Sequence, residues 1–148
     1  MDLTTRINAE IMSAMKAKDA VRLRGLRAIK SAILLANTDG TGQDLTDDRE
    51  TALLQKLMKQ RRDSFEIFTT QAREDLASKE AEEMAVIAEF LPQQLTREEL
   101  TVALQDIIAQ TGATSLKDLG KVMGAANKAL AGKTEGKLIS EVAKALLA

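Results

Sequence analysis

The chain has 148 residues, with 21 Lys and Arg against 22 Asp and Glu and a formal net charge of -1. That is the size of one globular domain or two small subdomains, and it carries no global basic field for indiscriminate nucleic-acid binding. There is no His and no Cys, which removes the imidazole acid/base group, the thiol nucleophile, disulfides and the ligands of ordinary zinc and iron-sulfur sites. Hydrolytic, redox and thiol chemistry are disfavoured, no metal or other cofactor is expected, and any nucleic-acid contact has to come from a local patch.

Ala and Leu far outnumber Val and Ile, and Trp and Tyr are absent, which is the composition of an all-α chain. Apolar residues at Leu3, Ile7, Ile11, Met12 and Met15 follow helical spacing from a start at Thr4/Thr5. Asp19 can cap a second helix carrying Leu23, Leu26, Ile29 and Ile33, with a turn or kink at residues 16 to 19. The run Asn37-Thr38-Asp39-Gly40-Thr41-Gly42 is dense in turn formers, and a third helix is expected from Asp47, where Glu50 stands as in a capping box. Its pattern runs through Leu54, Leu57, Met58, Phe65, Phe68, Ala72 and Leu76. Ser78 can then cap a segment with Met84, Ile87 and Leu91, either as a fourth helix or as the bent end of the third.

Pro92, the only proline, biases Leu91 away from helical geometry, and Thr96 with Glu99 forms another capping box, so a boundary belongs at 92 to 95. Beyond it Leu100, Ala103, Leu104, Ile107 and Ile108 keep helical spacing up to Gly112. Ser115 with Asp118 opens a helix carrying Leu119, Val122, Met123, Ala126 and Leu130, and residues 135 to 148 make the last one around Leu138, Ile139, Val142 and Leu146. The expected architecture is all-α and multihelical: an N-terminal four-helix subdomain, 1–91, and a C-terminal three-helix subdomain, 92–148. No uncharged stretch approaches the ~20 apolar residues of a membrane span, and the start Met1-Asp2-Leu3 lacks the basic and apolar regions of a signal peptide. The expectation is a cytoplasmic protein with no membrane partner.

Residues 37 to 48 imitate a calcium loop, but Asp44 stands where an apolar residue is needed and Asp48 where a bidentate Glu is usual. Gly132-Lys133-Thr134-Glu135-Gly136-Lys137 imitates a phosphate loop, yet only three residues separate its glycines, Leu138 replaces the Mg²⁺-binding hydroxyl and no strand precedes it. What it retains is a helix N-terminus flanked by Lys133 and Lys137, a place where an anion can meet free backbone N-H groups, although Glu135 opposes one. Lys117, Lys121 and Lys128 are spaced by four and seven residues, so they stack along one stripe of the sixth helix, with Gly124 between them and Gly120 alongside. A glycine inside a helix costs about 1 kcal/mol relative to alanine. Two of them four apart therefore imply either close packing of another helix or room for an RNA backbone to approach. Arg22, Arg24, Arg27 and Lys30, and Lys56, Lys59, Arg61 and Arg62, form two further basic clusters. Of these Arg22 lies within the apolar arc and is expected to pair with a carboxylate at a helix interface. The run Lys79-Glu80-Ala81-Glu82-Glu83 reads as a solvated face.

In order along the chain, Leu26-Arg27, Lys59-Gln60-Arg61-Arg62-Asp63-Ser64-Phe65, Arg73-Glu74-Asp75-Leu76, Phe90-Leu91-Pro92-Gln93-Gln94-Leu95, Asp118-Leu119-Gly120-Lys121-Val122-Met123 and Gly132-Lys133-Thr134-Glu135-Gly136-Lys137 resemble the YqeY-like family end to end. The resemblance implies two helical subdomains, of which the C-terminal one is similar to the tail domain of the GatB subunit of tRNA-dependent amidotransferase, a tRNA-contacting appendage. The sequence departs from the family at Thr134 and Glu135, where Ala and Asp are more usual. The resemblance implies an association with tRNA or tRNA amidation, and the residues, without Cys, His or a working phosphate loop, make it that of a non-catalytic module, expected to recognise folded RNA through shape and phosphate. The candidate nucleic-acid-binding residues are Lys117, Gly120, Lys121, Gly124, Lys128, Lys133, Gly136 and Lys137. With only Phe65, Phe68 and Phe90 as aromatic residues, all at apolar spacing, stacking of unpaired bases is disfavoured. The rival reading is a protein-binding adaptor, with a protein partner in tRNA amidation. A third, the family-level label of carbon-nitrogen ligase activity with glutamine as amido-N-donor, finds least support in the residues.

Overall fold

The computed structural model describes residues 2–38 and 45–148. Among them lie seven α-helices, one 3-10 turn and no strand: α1 (Leu3–Lys16), α2 (Ala20–Asn37), α3 (Asp47–Thr70), α4 (Glu74–Ala88), α5 (Arg97–Thr111), α6 (Leu119–Ala129) and α7 (Gly136–Leu147), with the 3-10 turn Leu116–Asp118 before α6. The all-α expectation holds. The central residues of the calcium-like loop, 39–44, fall outside the described residues. The chain divides into two compact units, Met1–Leu91 and Pro92–Ala148.

In the first unit α2 packs against α1 and α4, and α3 lies along α4. The core gathers Leu3 and Ile7 of α1, Leu26, Ile29 and Ile33 of α2, Leu54, Leu57 and Met58 of α3, Val86 and Ile87 of α4, and Phe90. At 25 cal/mol per Å² of apolar surface removed from water, each fully buried side chain of this size contributes about 1.5–3 kcal/mol. Asp2, ahead of the expected start at Thr4/Thr5, caps α1 by accepting from the Thr5 N-H at 2.8 Å, and Asp19 caps α2 through the Arg22 N-H at 3.1 Å. The joint at residues 16 to 19 is a turn: Lys18 takes a left-handed φ of 56°, and the Asp19 N-H reaches back to the Ala14 carbonyl at 3.0 Å, the closure of a Schellman motif.

Two expected starts differ. The cap of α3 is Thr46, whose hydroxyl accepts from the Arg49 N-H at 3.3 Å. Glu50 makes no capping box with Asp47, because its Oε1 accepts from the N-H of Leu3, the first residue of α1, at 3.2 Å. The fourth helix begins at Glu74, not at Ser78, and it is separate from α3 because Ala72 adopts φ 58° while the Arg73 N-H bonds to the Phe68 carbonyl at 2.8 Å.

Arg22 pairs with Glu10 at 2.8 Å and also with Glu89, the interface pairing its position in the apolar arc implies. The acidic run of α4, expected to be a solvated face, instead faces arginines. Arg24 reaches Glu82 at 2.6 Å and Glu83 at 3.4 Å, and Arg61 reaches Glu83 at 2.7 Å and Glu80 at 3.7 Å. These charges tie α2, α3 and α4 along the flank of the core.

The second unit is a three-helix bundle in which each helix touches the other two. Leu100, Leu104 and Ile107 meet Val122, Ala126, Ile139, Val142, Ala143 and Leu147. Thr96 and Glu99 form the expected capping box, at 3.1 Å in both directions. Gly112 ends α5 at φ 71°, a conformation that costs glycine nothing.

Candidate nucleic-acid interface

Ser115 starts the approach to α6 as expected, its hydroxyl accepting from the Lys117 N-H at 3.3 Å, but the turn it begins is a 3-10 turn that ends at Asp118. Asp118 fixes the turn by accepting from the Thr114 N-H at 2.9 Å. That bond is the main reason its carboxyl is held below the usual carboxylate range, with a smaller contribution from Lys121. Lys117 therefore lies in the turn before α6 and not on the helix; the stripe on α6 itself is Lys121 and Lys128.

On α6, Val122 and Ala126 are buried, while Gly120, Lys121, Gly124, Asn127 and Lys128 are exposed. At 100° per residue these five occupy one arc opposite the core. A methyl group added at Gly120 or Gly124 would meet no atom within 4 Å among the described residues, so neither glycine serves close packing against them. The face is a shallow backbone surface with an ammonium at two corners, and α6 itself contains no acidic residue.

Gly132 to Lys137 forms the turn into α7. Gly132 is buried with φ 79°, and its carbonyl accepts from the Gln94 Nε2 at 2.9 Å; the Leu95 N-H donates to the Lys133 carbonyl at 2.8 Å. The Pro92-Gln93-Gln94-Leu95 segment and the Gly132-Lys133 turn, far apart in sequence, thus form one fastening. Sequence reasoning quoted both motifs and missed that they meet. Lys133, Gly136 and Lys137 are exposed, and Thr134 is buried. The candidates thus fall into two groups, one on and before α6 and one at the entry to α7. Among the aromatic rings Phe90 is buried and Phe65 and Phe68 are half-buried. No group of three carboxylates among the described residues could hold a metal ion, and no helix among them is long and apolar enough to cross a membrane.

The family description "Yqey-like protein" matches residues 4–147. The chain belongs to the YqeY-like family. Among curated proteins, members similar to it carry the name "Altered inheritance of mitochondria protein 41, mitochondrial". The protein of Lachancea thermotolerans is 33% identical over 93 residues, 63% of this chain and 50% of the relative. That of Clavispora lusitaniae is 30% identical over 118 residues, covering 76% and 68%. That of Saccharomyces cerevisiae strain YJM789 is 29% identical over 96 residues, covering 65% and 52%. The YqeY-like chain spans about half the length of most of these relatives.

Proposed function

We propose that this YqeY-like protein is a non-catalytic helical module that associates with folded tRNA, gripping phosphates on the open face of α6. The observation that carries the reading is the exposed arc of Gly120, Lys121, Gly124 and Lys128, where a Cβ added at either glycine would meet open space among the described residues. Gly124, in the middle of α6, costs the helix about 1 kcal/mol, and with nothing of the described residues packed on it its compensation is sought outside the chain. Lys117 in the turn before α6, and Lys133 and Lys137 as a separate group at the entry to α7, are the further cations of the second unit offered to phosphate. The absence of an exposed ring favours recognition of shape and phosphate over stacking of bases. Amide transfer is not part of this proposal.

The test is tRNA binding across a salt series by the intact protein and by a variant with Lys117, Lys121 and Lys128 replaced by Glu. The variant is expected to bind more weakly and to lose about one unit of salt slope per phosphate contact removed. Charge reversal at Lys56 and Lys59, both exposed on α3, should leave binding nearly unchanged. One observation favours a second reading. Leu116, 51% exposed, lies in the 3-10 turn just before α6 and offers an apolar contact that a partner helix would use and RNA phosphate does not need. Absence of tRNA binding at low salt by the intact protein would shift the proposal to that adaptor role. The relatives' names, which carry the word mitochondrial, support a mitochondrial setting in place of the expected cytoplasmic one.

A further inference from the structure

Within the first unit, a cavity of about 380 Å³ opens between α1, the first turn of α2 and the end of α4, lined by Arg6, Ala9, Glu10, Arg22, Glu89 and Phe90. Arg6, Ala9 and Glu10 share a face of α1 by their spacing of three and four. Arg22 draws two carboxylates to itself, Nη2 donating to Glu10 Oε2 at 2.8 Å and Nη1 to Glu89 Oε2. Each carboxylate spends one oxygen this way, and its Oε1 has no partner among the described residues, on side chains 43% and 50% exposed.

Arg6 is held differently. Its guanidinium carbon lies 5.0 Å from the centre of the Phe90 ring, a cation-π contact that orients the group while using no N-H donor and neutralising no charge. No carboxylate pairs with it among the described residues. The lining is neutral in sum but uneven: one unpaired guanidinium beside an arginine shared by two acids. The α4 carbonyl end, at Glu89 and Phe90, adds to the side that favours a cation.

We propose that this cavity binds a small zwitterion of the α-amino acid class, its carboxylate on Arg6 and its ammonium on the free oxygens of Glu10 and Glu89. A phosphate or other simple anion would meet two carboxylates, and a simple cation two guanidinium groups. The volume falls within the roughly 300–1,000 Å³ of ligand sites, ample for an amino acid.

The test is a titration of the ¹⁵N-labelled full-length protein with L-alanine, L-glutamine, L-leucine and L-phenylalanine, followed by amide chemical shifts. Concentrations reach about 20 mM, since a two-point charge match in open solvent gives about millimolar affinity. Saturable shifts at Ala9, Glu10, Arg22 and Phe90 are expected with at least one of the four. They should be lost with its N-acetyl derivative, which lacks the cation, and with its carboxamide, which lacks the anion. Arg6→Gln should weaken binding at least tenfold and Arg6→Lys much less. Arg6 is exposed, so both variants keep the fold, and the same spectra verify it. The proposal is overturned if none of the four amino acids shifts these amides, if sodium acetate shifts them as strongly, or if Arg6→Gln binds as tightly as the parent.

Discussion

Thr134 is 6% exposed, and its hydroxyl is shut off from solvent without a hydrogen-bond partner among the described residues. An unsatisfied buried hydroxyl carries a desolvation cost of about 1–3 kcal/mol, against which its methyl group contributes packing. Thr134→Ala is therefore expected to leave the melting temperature unchanged or raise it, by up to about 1 kcal/mol in denaturant titration. A loss of more than that would mean that the methyl group matters more than the orphaned oxygen. Two glycines give a paired prediction of opposite sign. A Cβ at Gly25 would lie 2.8 Å from Val86 Cβ, an atom fixed to the α4 backbone. Overpacking of about 1–3 kcal/mol there outweighs the gain in helix propensity. At Gly124 the same change meets open space and gains about 1 kcal/mol. Chemical denaturation should thus show Gly25→Ala less stable than the parent and Gly124→Ala more stable. If the α6 face receives an RNA backbone, Gly124→Ala will weaken tRNA binding while stabilising the fold.

Among the helices, the charge ladder joining α2, α3 and α4 has one member held against its preference. Burial pushes the Glu80 carboxyl above the usual glutamate range, only partly offset by Arg61. A carboxyl whose folded pKa is raised favours folding while protonated, and that advantage is lost as pH rises through the folded value. Glu80→Gln should accordingly raise the melting temperature at neutral pH, with the difference fading as pH falls below the ordinary glutamate range; Arg61 keeps Glu83 at 2.7 Å as its partner. Melting curves at pH 3.5, 5 and 7 read this out. The same helices show what local patterns encode. Starts governed by a nearby side chain, at Asp19, Thr96 and Ser115, were legible. The break between α3 and α4 was not, because the left-handed position belongs to Ala72, where the usual signal is Gly or Asn. The start at Thr46 was missed because Glu50 bonds to a different helix, a contact 47 residues away in sequence. The lysines of the candidate interface were legible, being surface residues at helical spacing. The fastening of Gln94 and Leu95 to Gly132 and Lys133 was hidden, since bonds to backbone carbonyls leave no residue-type signature.

For the molecule as a whole, each unit owns a closed apolar core. The shorter one is close to the smallest size at which a single core suffices. Residues 92–148 expressed alone should be helical by circular dichroism and melt cooperatively; a non-cooperative melt would mean that this core does not stand by itself. The bonds from Gln94 and Leu95 to Gly132 and Lys133 span 38 residues, and this sets an order of events during synthesis. As the chain leaves the ribosome, the first unit has its last core residue at Phe90 and can close. The segment just after Pro92 then waits with its polar groups in water until the turn before α7 emerges. Closing that loop carries an entropy cost repaid only when its contacts form, so α5 and α6, which pack on each other, can meet first, while a chain stopped before residue 132 leaves Gln94 and Leu95 without their carbonyl partners.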